Sequence, residues 1–160
     1  MAVLFNEMSP FSRVWVFQSN RLLSVEQQEV INSKLSSFVA EWATHGTPLH
    51  ASFEIRNNCS VIVAVDENIQ SASGCSISSL TALFESLGSA FNLSFFDRFS
   101  IAHKANNTVE LSSVKEFKNL IAAGSVNADT LVFNNLIANK EDLSTKWEIP
   151  LKDSWQKRYL

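Results

Sequence analysis

Ser52-Phe53-Glu54-Ile55-Arg56-Asn57-Asn58-Cys59-Ser60-Val61-Ile62-Val63-Ala64-Val65, residues 52–65, decides how this chain folds. Phe53 and Ile55 alternate with Ser52, Glu54 and Arg56, the period-2 pattern of a strand with one apolar and one wet face. Asn57-Asn58 tolerates positive φ and supplies a two-residue hairpin turn. The return strand, Val61 to Val65, has no polar position, so it belongs in the core.

Upstream of the hairpin, residues 1–13 read as an irregular lead-in broken by Pro10. Val14-Trp15-Val16-Phe17 is a short buried strand. Ser24 to Gln27 has the spacing of a capping box, and Ile31, Leu35, Phe38 and Trp42 follow on one helical face. Gly46 and Pro48 read as that helix's stop. Downstream, a polar loop from Asp66 to Cys75 leads into a second amphipathic helix marked by Ile77, Leu80, Phe84, Leu87 and Phe91. Gly88 interrupts it at a cost of about 1 kcal/mol relative to alanine, which predicts a close helix–sheet contact there. Phe99 to His103 is a fourth strand, and Asn106-Asn107 turns it into a fifth, Thr108 to Leu111.

The order β-α-β-β-α-β is the split βαβ arrangement of the ferredoxin-like fold. The expectation is therefore an α+β domain over residues 1–111, with an antiparallel sheet carrying both helices on one face. Residues 112–160 read as a small C-terminal appendage. In it, Ser113 to Glu116 is another capping box, opening a helix with Phe117, Leu120 and Ile121 inward and Gly124 as its stop. A short strand, Leu131-Val132-Phe133, follows. The polar remainder is anchored at Leu136, Leu143, Trp147, Ile149 and Trp155.

Bulk properties narrow the function. With 46% hydrophobic and 18% charged residues in 160, the chain can bury a real core. A net charge of -3 and the absence of a Lys/Arg run argue against a nucleic-acid partner. No window approaches the length of a membrane span, and MAVLFNEMSPFSRV lacks the features of a secretory signal. Cys59 and Cys75 have neither metal-ligand spacing nor a disulfide framework. The expectation is a reduced, cytoplasmic protein without membrane insertion. His45, His50 and His103 fall in no zinc motif, so no metal is expected. Gly46, Gly74, Gly88 and Gly124 are followed by Thr, Cys, Ser and Ser, which excludes a P-loop, and G-x-G and G-x-S-x-G are also absent. No cofactor is expected.

The loop Asp66 to Cys75 is the strongest candidate for chemistry. It leaves a central strand and ends where a helix N-terminus favours an anion. Gly74 would admit a ligand close to the backbone, Cys75 would be the reactive thiol, Ser76 would bind beside it, and Asp66 or Glu67 would accept a proton. The same residues fit a plainer reading, in which Ser76 or Ser78 caps the helix and Cys75 is a small buried hydrophobe. Asp97-Arg98 is a second polar pair, suited either to a ligand carboxylate or to a salt bridge where the fourth strand starts. His103 near Cys75 would make a Cys–His pair; the plainer reading is a solvated histidine or one on an edge strand.

The chain as a whole resembles a family of uncharacterised bacterial proteins of about this length. The likeness is carried by SRVWVFQSNRLL (12–23), SFEIRNN (52–58), AVDENIQSASGCSI (64–77), FFDR (95–98), TLVFNNLI (130–137) and KWEIPLKDSW (146–155). Members often carry the label "ABC transporter ATPase", which implies a Walker A loop that this chain does not have. In the family the GCSI segment is usually followed by an acidic residue, where this chain has Ser78. The C-terminal part, residues 114–133 with 146–150, is similar to GYF-like modules, although the Gly-Tyr-Phe tripeptide is missing. That resemblance implies a peptide-binding surface.

Two functions follow as expectations. The first is a non-enzymatic module that binds a protein partner or itself as a homodimer, through Glu54 and Arg56 or through aromatics near Trp147 and Trp155. The second is a small enzyme or anion sensor built on the Asp66–Cys75 loop.

Overall fold

The computed structural model describes residues 3–160. A 3-10 turn (Phe5–Glu7) leads into β1 (Arg13–Gln18), followed by α1 (Val25–Glu41), a minimal hairpin of β2 (Ala43–Thr44) and β3 (Thr47–Pro48), and then β4 (Ala51–Arg56) and β5 (Ser60–Val65). After α2 (Gly74–Phe91) come β6 (Ile101–Ala105), β7 (Thr108–Ser112), α3 (Val114–Ala122), β8 (Leu131–Phe133), α4 (Lys140–Thr145) and β9 (Glu148–Pro150). Two 3-10 turns, Leu151–Asp153 and Trp155–Tyr159, close the chain.

The three long helices begin at reciprocal caps. In α1 the Ser24 hydroxyl accepts the Gln27 N–H while the Gln27 side chain accepts the Ser24 N–H. Ser113 and Glu116 do the same for α3. Each cap is worth about 1 kcal/mol. The stop predicted at Gly46 is a different device. α1 ends at Glu41, and His45 and Gly46, both at positive φ, form the two-residue turn joining β2 to β3. Gly88 also differs from expectation. Its close neighbour is the backbone just past the helix, where Asn92 adopts a left-handed conformation and the Leu93 N–H returns to Gly88 O.

β5 pairs antiparallel with β1 on one side and β4 on the other, so β1 and β4 run parallel with β5 inserted between them. This is the split βαβ unit expected from the sequence. The second half departs from the ferredoxin-like order. The expected fourth strand, β6, does not lie beside β1; it joins a separate four-stranded sheet of order β7-β6-β8-β9. The physical reason lies in β5. Val61, Val63 and Val65 pack toward α1 and α2, while Ile62 and Ala64 pack toward Ala102, Val109 and Phe133 of the second sheet. Both faces of β5 are apolar, and a single helix layer covers only one of them.

The result is four stacked layers: α1 with α2, the three-stranded sheet, the four-stranded sheet, and α3 with the C-terminal turns. The last layer is held by Ile101, Val132, Phe117, Val126 and Leu151. Residues 112–160 thus complete a sheet begun by β6 and β7, and the expected boundary after residue 111 falls within that sheet. Leu143 and Trp147 are buried as anchors, but Leu136 is 83% exposed. Among the described residues no helix is long and apolar enough to cross a membrane.

Candidate functional site

The two carboxylates of the Asp66–Cys75 loop serve its own turns, and Glu67 also lies 3.6 Å from Arg13. Asp66 Oδ1 accepts the Asn68 N–H and Glu67 Oε2 accepts the Ala72 N–H, 3.0 and 2.9 Å apart. The helix cap is Ser73, three residues before Ser76 and five before Ser78. Its hydroxyl accepts the Ser76 N–H, and the Ser76 hydroxyl accepts the Ser73 N–H. Ser76 is buried within this cap and carries the indole N–H of Trp42 on its carbonyl. Cys75 therefore sits inside the first turn of α2, and its side chain is exposed. Around Gly74 a side chain would meet nothing within 4 Å. Cys59 is the buried thiol, and burial pushes its pKa up.

His103 is neither solvated nor on an edge. It lies on β6, between β7 and β8, and is 2% exposed. Its Nε2 is 3.5 Å from Glu110 Oε2, its ring stands 5.6 Å from that of Phe117, and its Nδ1 has no partner. Burial holds its pKa below the ordinary value, against the opposing pull of Glu110. Its neighbours are Glu110 and Phe117 rather than Cys75, so the structure shows no Cys–His pair. Among the described residues no group of three His, Cys, Asp or Glu side chains is placed to hold a metal ion.

Asp97 and Arg98 have a different setting. Asp97 caps its own turn, accepting the Phe99 N–H at 3.0 Å, and Asn20 reaches its other oxygen at 3.5 Å. No salt bridge joins Asp97 to Arg98; the arginine is exposed and lines a cleft of about 700 Å³. Val16 and Gln18 of β1 form one wall of the cleft, and Phe95 to Ser100 form the second. Asn135, Leu136 and the C-terminal turn at Trp155 line the third.

The cleft is a consequence of the topology. Because β6 leaves for the second sheet, β1 keeps a free edge. Ala138 and Asn139 cover the start of that edge, through the Val14 N–H to Ala138 O bond and the bridge between Arg13 and Asn139. Beyond them no backbone hydrogen bond from another described residue reaches that edge. The Gln18 side chain spans this stretch, giving its N–H to Ser100 O and accepting the Asn135 amide, both at 3.0 Å. Around the rim, Phe96, Phe99, Leu136 and Trp155 are large apolar side chains left exposed. Sequence reading found Asp97, Arg98 and the Trp155 aromatic separately. The pairing of β6 with β8, which brings them to one place, left no local signal.

Comparison with protein-family models, with curated proteins and with solved structures finds no match to this chain.

Proposed function

We propose that this α+β protein is a non-catalytic binding module, and that the cleft beside β1 takes an apolar segment of a partner protein. One observation carries the reading: four exposed large apolar side chains, from three separate stretches of sequence, converge on the rim of one cleft. Scattered surface hydrophobics need no explanation, but a contiguous patch around a concavity of 300–1,000 Å³ is the usual form of a recognition site. The polar floor of Gln18 and Asn135 adds the few oriented groups such sites use for specificity. The resemblance of the C-terminal part to GYF-like modules implies a peptide surface and agrees with this reading. On the stretches quoted above we also propose membership of the bacterial family they resemble.

The test is site-specific photo-cross-linking inside the cells that make the protein. A benzophenone side chain at Leu136 should yield a discrete adduct that Trp155→Ala removes. The same probe at Lys34, exposed on α1 away from the cleft lining, should not yield it. Adducts that are equal at both positions, or that persist in Trp155→Ala, would overturn the reading.

The Asp66–Cys75 loop supports a second reading, as an anion sensor or small enzyme, through the exposed Cys75 thiol in the first turn of α2. That loop's carboxylates already serve its own turns, so the cleft is the better-supported site.

A further inference from the structure

We infer that the segment received by the cleft is an extended peptide carrying a carboxylate beside its apolar anchor. The inference rests on the cleft being the binding site and adds the chemistry of what enters it.

The backbone of β1 offers such a peptide an unpaired sheet edge. The Ser19 N–H bonds Cys59 O and the Val14 N–H bonds Ala138 O, so odd-numbered residues of β1 pair with β5 and even-numbered ones face away. Val16, on the cleft wall and only half-buried, therefore turns its N–H and C=O off the free edge of the sheet. An incoming chain in extended conformation satisfies such groups by adding itself as a strand.

Charge in the cleft favours a carboxylate. The chain as a whole is acidic, at -3. The cleft reverses that sign, since its charged lining is Arg98, Arg158 and Asp97. The Asp97 carboxylate is engaged by Phe99 and Asn20. Neither arginine has a carboxylate partner among the described residues; Arg158 rests only over its neighbour Tyr159. Two unpaired guanidinium groups beside an aromatic rim complement a guest with an acidic residue next to an aromatic or aliphatic one.

The experiment is selection from a phage-displayed library of random linear peptides on the intact protein, followed by fluorescence anisotropy with synthetic versions of the recovered sequences. The expected consensus pairs a large apolar residue with Asp or Glu. Affinity should fall at least about tenfold in Arg98→Glu/Arg158→Glu and weaken with salt, and Trp155→Ala should also weaken it. Neutral or basic peptides that need Trp155 but ignore the charge reversal would overturn this inference and leave the cleft reading standing. Peptides insensitive to Trp155→Ala, or no enrichment, would overturn both. A dimer in light scattering that Trp155→Ala dissolves would assign the cleft to a second copy of the chain, and so also overturn the inference.

Discussion

Asn135 donates its side-chain amide to Gln18 Oε1 at 3.0 Å, across 117 residues of sequence. Its own Oδ1 accepts the indole N–H of Trp147 at 2.9 Å. One carboxamide thus ties β1 of the first sheet to the segment that follows β8 of the second, at the floor of the cleft. Asn135→Ala leaves a part-buried acceptor and an indole N–H without partners. The expected loss is about 1–3 kcal/mol, read as a lower denaturant midpoint at unchanged slope. Asn135→Asp keeps the acceptor for Trp147 and loses the donor to Gln18, so it should fall between the two. Equal stability of all three would show that water replaces both bonds.

Gly88→Ala tests the turn that sends the chain from α2 to the cleft. In a free helix the substitution gains about 1 kcal/mol. Here the added methyl would stand 2.8 Å from the carbonyl oxygen of Leu93, which is backbone and cannot swing aside. Overpacking of this kind costs about 1–3 kcal/mol, so the net expectation is a lower melting temperature. A stabilised variant would mean that residues 93–96 shift freely.

These two sites separate what is legible in sequence from what is not. Local signals carried far. The boxes at Ser24 and Ser113, the Asn57-Asn58 turn and the double-faced run Val61–Val65 each specify their element through nearest neighbours. The pairing partner of β6 was not legible. A strand with Ile101, Ala102 and His103 inward fits either sheet, and the choice depends on what covers the second face of β5. A period-2 pattern records that a face is buried but not what covers it. The cleft inherits that limit. Arg98 and Trp155 carry no mutual signal; the β6–β8 bridge at His103 and Val132, together with the Gln18 side chain between Ser100 and Asn135, brings their segments together. Leu136 shows the same limit from the other side: an apolar residue in a polar tail reads as an anchor whether it points inward or lines a rim.

Thiol labelling distinguishes the two cysteines. Cys75 is exposed, while Cys59 is buried with its pKa raised by desolvation. N-ethylmaleimide should modify one thiol of the native protein and both after unfolding, as counted by intact mass. Cys75→Ser should leave the native protein unlabelled, and its melting temperature should move little, because exposed substitutions usually stay within about 0.5 kcal/mol. Rapid double labelling of the native chain would mean that β5 opens readily and that its core is less rigid than the burial of Val61 to Val65 implies.

His103 makes stability depend on pH. Its imidazole is buried beside Phe117, and burial holds the folded-state pKa below the ordinary value of about 6.5. Between the folded and the unfolded pKa, the unfolded chain binds the proton and the native chain does not. Stability therefore rises with pH across that window, is fully present above about 6.5, and is lost as the pH falls toward the folded value. One such group contributes a slope of at most about 1.4 kcal/mol per pH unit. Denaturant midpoints between neutral and mildly acidic pH should show this loss, and His103→Gln should flatten it. Glu110 works against the burial, since its carboxylate is 3.5 Å from Nε2 and favours the charged ring. Glu110→Gln should accordingly lower the folded pKa further and extend the loss to lower pH. If both variants kept the wild-type slope, the dependence would belong to other groups and His103 would have to titrate alike in the folded and unfolded chain.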